Sequence, residues 1–157
     1  MRLNLGAADR NVEGFKSVDL VPPADFICDL TEDWPWPASS IEEILANDIL
    51  EHLPNKRHTM NEIFRVLKPG GLARIGVPDA TQGDGGFCDP THVSFWSGSD
   101  FEYYEAGNYA RERKAFAESS YYGIKARFDV VEYQEIRHER KRGRFTVELR
   151  VVLRAVK

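Results

Sequence analysis

Apolar residues in this chain come in short clusters separated by polar stretches that carry glycine or proline. Leu3-Asn4-Leu5 is an apolar alternation ending in Gly6-Ala7-Ala8, and Ser17-Val18-Asp19-Leu20 follows after a polar stretch containing Gly14, so two strands are predicted at the start. Ala24 to Leu30 reads as a third strand, with Phe26, Ile27 and Cys28 buried and Asp29 at its carboxyl end. Trp34-Pro35-Trp36-Pro37 cannot be regular structure, because proline removes a donor and restricts the residue before it. It is a connection whose two tryptophans are available as lids over a core or a ligand.

Ile41 to Ala46 reads as a fourth strand, interrupted by Asn47-Asp48 before a helical Ile49 to Leu53. The clearest helix follows: Met60, Ile63, Phe64 and Leu67 fall at i, i+3, i+4, i+7, and Lys68-Pro69-Gly70-Gly71 supplies a basic last turn and two breakers. Leu72 to Val77 is a fifth strand ending at Pro78-Asp79. From Thr81 to about Gly123 the periodicity fades while glycines and aromatics accumulate, which predicts irregular structure with one helix near Tyr109 to Ser119. Phe128 to about Arg137 and Phe145 to Val156 are two β-like runs joined by a basic, Gly143-containing turn, an antiparallel hairpin. Together these elements predict a Rossmann-like α/β fold: one mostly parallel, seven-stranded sheet with a C-terminal antiparallel hairpin.

With 157 residues, 42% hydrophobic, the chain has apolar material for one core, so residues 1–157 are expected to form a single domain, with 81–123 as the segment that binds an acceptor. The net charge of −4 leaves no broad positive field, so long nucleic acid is not an expected partner. The first residues do not resemble a signal peptide and no run is long enough for a membrane span. A cytoplasmic protein is expected. Cys28 and Cys88, without metal-ligand or disulfide spacing, read as idle thiols.

Ligands of such sheets bind at the carboxyl ends of the strands, where Gly6, Asp19, Asp29 and Asn47-Asp48 would line one rim. This is a set suited to a nucleoside, since a carboxylate after the second strand can accept both ribose hydroxyls and a glycine after the first admits a close approach. A dinucleotide is disfavoured: one glycine stands where its fingerprint needs three, and Asp19 follows Gly6 by only 13 positions instead of roughly 20. Acids at strand ends are also often only caps or solvated turns.

Leu3-Asn4-Leu5-Gly6, Val18-Asp19-Leu20, Cys28-Asp29-Leu30, Leu50-Glu51-His52-Leu53 and Arg65-Val66-Leu67-Lys68-Pro69-Gly70-Gly71 resemble, in order and spacing, the motifs of the class I S-adenosylmethionine-dependent methyltransferases. The resemblance runs from residue 3 to about 79, and the terminal hairpin fits the family's last two strands. It implies S-adenosylmethionine as cofactor, with Gly6 and its neighbours Leu5 and Ala7 facing the methionine part. Asp19 and Leu20 would lie at the ribose and Asp29 with Leu30 at the adenine. Asn47 would approach the sulfonium through its backbone, with Asp48 and His52 beside it. The chain departs from the family pattern in its single first-motif glycine, the little room for a helix between strands one and two, and the missing N-terminal helices. These departures predict an open cofactor pocket.

Methyl transfer to a small-molecule acceptor, by O- or N-methylation, is therefore the expected function, and positioning supplies most of the acceleration. Asp89-Pro90-Thr91-His92 lies in the segment expected above the methyl site, with His92 as the base and Asp89 fixing its ring; a histidine pinning an irregular loop is the plainer alternative. Asp48, Glu51 and His52 stand at i, i+3, i+4, a metal-ligand spacing similar to that of metal-assisted methyltransferases, with His92 as a further ligand. Leu-Glu-His-Leu is widespread in the family without a metal, and no resident metal is expected. The aromatics of 81–123 suit either an acceptor pocket or the anchoring of irregular chain, and the basic 137–144 turn reads as a solvated tip. A non-catalytic cofactor-binding module is the alternative function, and a nicotinamide-dependent oxidoreductase a remoter one.

Overall fold

The computed structural model describes residues 1–106 and 122–157. The helix predicted near Tyr109 to Ser119 lies outside them. Seven strands form one sheet in the order β3-β2-β1-β4-β5-β7-β6, made of β1 (Arg2–Leu5), β2 (Lys16–Asp19), β3 (Phe26–Ile27), β4 (Ile41–Asn47), β5 (Leu67–Gly83), β6 (Phe128–Glu139) and β7 (Phe145–Ala155). Strands β1 to β5 pair in parallel, and β7 runs antiparallel between β5 and β6. The order reverses between β1 and β4, the crevice where ligands of open α/β sheets bind.

Register sorts the side chains into two unlike faces. Leu3, Ile44, Ala73 and Leu153 are aligned across four strands, as are Leu5, Ala46, Ile75 and Val151, and all of them are buried. Helix α1 (Lys56–Val66) covers this face with Met60, Ile63 and Val66, and Phe64 sits edge-on to Phe128. Asn55 caps the helix by accepting from the His58 amide at 3.0 Å. The opposite face carries Arg2, Glu43 and Arg74 side by side, with Glu43 accepting from Arg2 Nε at 3.0 Å and from Arg74 Nε at 2.6 Å. A face so charged does not call for a covering helix, and the ten-residue connection from β1 to β2 contains none.

The third strand is shorter than its pattern predicts, two residues instead of seven, because Asp29 turns the chain by accepting from the Thr31 amide and hydroxyl. Strand β5, in turn, runs past Val77 to Gly83 by pairing with β7. Trp34 and Trp36 are buried against the core, so they are not lids over a ligand. They are held there by Glu62, which accepts from the Trp34 amide at 2.9 Å, and by Arg65, which donates to the Trp34 and Trp36 carbonyls.

Candidate functional site

The rim at the carboxyl ends of β1, β2 and β3 opens onto a small apolar cavity of about 140 Å³ lined by Gly6, Asp19, Leu20, Cys28, Asp29, Leu30, Thr31, Ile49, His52 and Leu53. Gly6 is required by geometry: its φ is +60°, and a Cβ there would stand 2.7 Å from the Ile49 side chain. Asp19 braces the rim, its Oδ2 accepting from the Ala8 amide at 2.8 Å and its Oδ1 from its neighbour Leu20 at 2.7 Å. Each oxygen keeps a further lone pair for a ligand. The Asp29 carboxyl is held below its ordinary pKa by the Thr31 hydroxyl and amide. Cys28, half buried, has its thiol pKa pushed up by desolvation and by the Asp29 charge.

Of the residues expected to contact a cofactor, Gly6, Asp19, Leu20, Asp29, Leu30 and His52 line this cavity. Leu5 and Ala7 do not; both are 1% exposed, Leu5 because its register turns it to the core face and Ala7 in the turn whose amide donates to the Val18 carbonyl. The Asn47 side chain lies against Gly76 on the charged face of the sheet, which leaves its backbone for the rim. Asp48 turns the chain out of β4 in a left-handed conformation, φ 53°, and pairs with Arg10 at 3.3 Å, so it belongs to a neighbouring cleft. Cys28, Thr31, Ile49 and Leu53 also line the cavity; Cys28 and Leu53 stand inside the sequence motifs, whereas Thr31 and Ile49 have only adjacency to them as a signal.

The neighbouring cleft, about 400 Å³, is polar and contains Asp48, Glu51, His52, Asp89, His92 and Glu148. His52 borders both spaces. A 3₁₀ turn, Leu50–His52, builds the junction: the Glu51 carbonyl accepts from the Val93 and Ser94 amides, and the Ser94 hydroxyl donates to the Leu50 carbonyl. These bonds lay the 91–96 segment over the turn and bring His92 above Glu51. The His92 ring is oriented by the Gly86 carbonyl, 3.0 Å from Nδ1. Asp89, expected to orient that ring, stands 3.9 Å from Nε2, beyond hydrogen-bond reach, because its Oδ1 already accepts from the Thr91 amide and hydroxyl. Burial pushes the Glu51 carboxyl pKa up.

A third space, about 520 Å³, lies beside the last residues of β5, between Asp79, Phe101, Glu102 and Tyr133. The hairpin tip carries Lys141, Arg142 and Arg144 into solvent, with Arg144 3.3 Å from Asp84. No helix among the described residues is long and apolar enough to cross a membrane.

Residues 5–75 match the family model described as a methyltransferase domain. The whole chain aligns with solved methyltransferases at low identity. A Burkholderia thailandensis 1,6-didemethyltoxoflavin-N1-methyltransferase, solved with 1,6-didemethyltoxoflavin and S-adenosylhomocysteine, is 16% identical; the alignment covers 99% of this chain and 71% of that one, with a TM-score of 0.61. This is the class I methyltransferase fold. An S-adenosylmethionine-dependent methyltransferase from Archaeoglobus fulgidus shares the fold at 14% identity over 98% of this chain and 85% of its own, TM-score 0.62. One from Methanosarcina mazei shares it at 12% over 99% and 92%, TM-score 0.62. No curated protein matches the sequence. The domain match and the methyltransferase fold agree with the motifs read from the sequence.

Proposed function

We propose that the chain transfers a methyl group from S-adenosylmethionine to an oxygen or nitrogen of a small molecule. The observation that carries this reading is the meeting, at His52, of an apolar cavity edged by ribose-type carboxylates and a separate polar cleft. The residues fit the cofactor. Asp19 has lone pairs directed at the rim, Leu20, Leu30 and Leu53 offer apolar contact for a flat ring, and a glycine stands where the backbone must be approached closely. The volume is below the roughly 300–1,000 Å³ of ordinary small-molecule sites, so it suits the adenine ring while the rest of the cofactor lies open along the rim.

When bound, the cofactor supplies an electrophilic methyl carbon whose bond to sulfur breaks with the electron pair remaining on sulfur. The chain contributes alignment of the acceptor lone pair with that carbon, the main source of acceleration in such a displacement. An acceptor hydroxyl or ammonium must also lose a proton. His92 offers an Nε2 lone pair in the cleft with its other ring nitrogen fixed by Gly86, the arrangement of a positioned proton acceptor.

Calorimetric titration with S-adenosylmethionine, S-adenosylhomocysteine and a nicotinamide dinucleotide tests the cofactor, and release of S-adenosylhomocysteine in an acceptor screen tests turnover. Binding of the first two alone followed by acceptor-dependent release is the expected result. The small enclosed cavity also supports a second reading, a binding module without turnover; cofactor binding with no release against oxygen, nitrogen and sulfur acceptors would favour it. Failure of both sulfur compounds to bind would overturn the proposal.

A further inference from the structure

We propose that Glu51, His52 and His92 form a site for one divalent cation of the zinc class on the floor of the polar cleft. One ligand atom from each of the three lies within 4.8 Å of the others. Glu51 is 2% exposed, and its Oε2 is buried with no hydrogen-bond partner. A buried carboxylate oxygen left unpaired is costly, and a bound cation removes that cost.

The histidines are prepared for the same ligand. A carbonyl oxygen only accepts, so the Gly86 carbonyl at 3.0 Å places the proton of His92 on Nδ1, and the Thr91 carbonyl at 3.1 Å does the same for His52. The lone pairs are then on the two Nε2 atoms. Backbone carbonyls in this role are the usual outer support of metal-binding histidines. His92 Nε2 faces two acceptors, Glu51 Oε1 at 4.0 Å and Asp89 Oδ2 at 3.9 Å. A proton on Nε2 would leave both contacts too long for a hydrogen bond, whereas a metal bonded at about 2.0–2.2 Å holds its ligand atoms about 3–3.5 Å apart. Side-chain movements of about 1 Å close the set around such an ion.

Asp48 is outside the cluster, paired with Arg10, so the site is not the contiguous i, i+3, i+4 group; it depends on the 91–96 segment folding back over the 3₁₀ turn. Two imidazoles and one carboxylate suit zinc, cobalt or manganese better than magnesium or calcium, which take oxygen ligands. Three protein ligands leave positions open toward the cleft. There the inference deepens the methyl-transfer reading, and rests on it: an acceptor hydroxyl bound to the cation would be acidified and give its proton to water, with His92 as ligand instead of base.

Chelator-stripped protein should bind zinc ions one to one in calorimetry, without cofactor or acceptor, and cobalt ions should give the visible absorption of a low-coordinate site. Changing one partner outside the coordination shell typically weakens metal binding about 10–100-fold, so Glu51→Gln and His92→Gln should each weaken zinc binding at least about tenfold. Asp48→Asn should leave it within about twofold, as a residue outside the ligand set. Absence of one-to-one binding, or unchanged affinity in both ligand variants, overturns the proposal. Should Glu51→Gln fail to fold by circular dichroism, His52→Gln and His92→Gln carry the same decision. Because the titration contains no S-adenosylmethionine, its failure leaves the methyl-transfer reading standing, and failure of cofactor binding leaves the metal site standing.

Discussion

Replacing Asp19 by alanine separates the two things its carboxylate does. In the free protein it accepts from the Ala8 and Leu20 amides, tying the β1 loop to the end of β2. Both amides are at the exposed rim, where water replaces the lost acceptor, so stability should fall by no more than about 1–2 kcal/mol. In the cofactor complex the remaining lone pairs are expected to hold the ribose, and a hydrogen bond to a charged group contributes about 1.5–3 kcal/mol. With about 1.4 kcal/mol per factor of ten, S-adenosylmethionine affinity should fall roughly 10- to 150-fold. Asp19→Asn keeps one carbonyl oxygen in place and should lose less. Calorimetric Kd values beside thermal unfolding of the same variants give the two readings independently. An unchanged Kd with a lowered melting temperature would show that Asp19 only braces the loop, and the placement of the cofactor along this rim would be wrong.

Other outcomes follow from the same geometry. Gly6→Ala should destabilise the fold by about 2–4 kcal/mol, since it adds left-handed backbone strain to a Cβ 2.7 Å from Ile49; Ile49→Ala in the same background should recover the packing part in a double-mutant cycle. Glu62→Ala should cost about 2–4 kcal/mol in chemical denaturation, because it strands the buried Trp34 amide and leaves Arg65 without its carboxylate. Thiol titration should show exposed Cys88 reacting first and Cys28, whose pKa is raised by burial, reacting slowly; S-adenosylmethionine should slow the Cys28 phase further. Asp25, bonded to Lys16 and to the Ser17 amide and hydroxyl, has its pKa lowered from 3.8 to about 2. A depressed carboxyl contributes stability that is present above its unfolded pKa and lost as pH falls toward the folded one, so the stability gap between wild type and Asp25→Asn should shrink between about pH 4 and pH 2.

The fold was legible because its main signals are local. Helix α1 shows in the spacing of Met60, Ile63 and Phe64, and β7 in the alternation from Phe145 to Ala155, patterns that one buried face imposes on each period. The short β3 was not, because an apolar run does not reveal that Asp29 will turn the chain with its own carboxylate. The two tryptophans could be assigned to a lid or a core with equal reason; their burial depends on Glu62 and Arg65, about thirty residues away, and no local pattern encodes that bond.

The same distinction divides the candidate site. The rim of Gly6, Asp19 and Asp29 can be read from the chain because each follows its own strand, and parallel pairing then puts successive strand ends on one edge of the sheet. The cleft cannot, because its geometry comes from residues about forty positions apart, joined when the Glu51 carbonyl accepts the Val93 and Ser94 amides. Sequence spacing groups Asp48 with Glu51 and His52 and offers His92 as a further ligand; the fold removes Asp48 to Arg10 and brings His92 to the other two. Asp89 shows why proximity in sequence is a poor guide to side-chain pairing. Its carboxylate closes a turn with Thr91, so the ring of His92 takes its orientation from the backbone at Gly86. The methyltransferase fold is therefore legible at its strand ends, whereas the geometry of the cleft is set by how one irregular segment docks on a 3₁₀ turn.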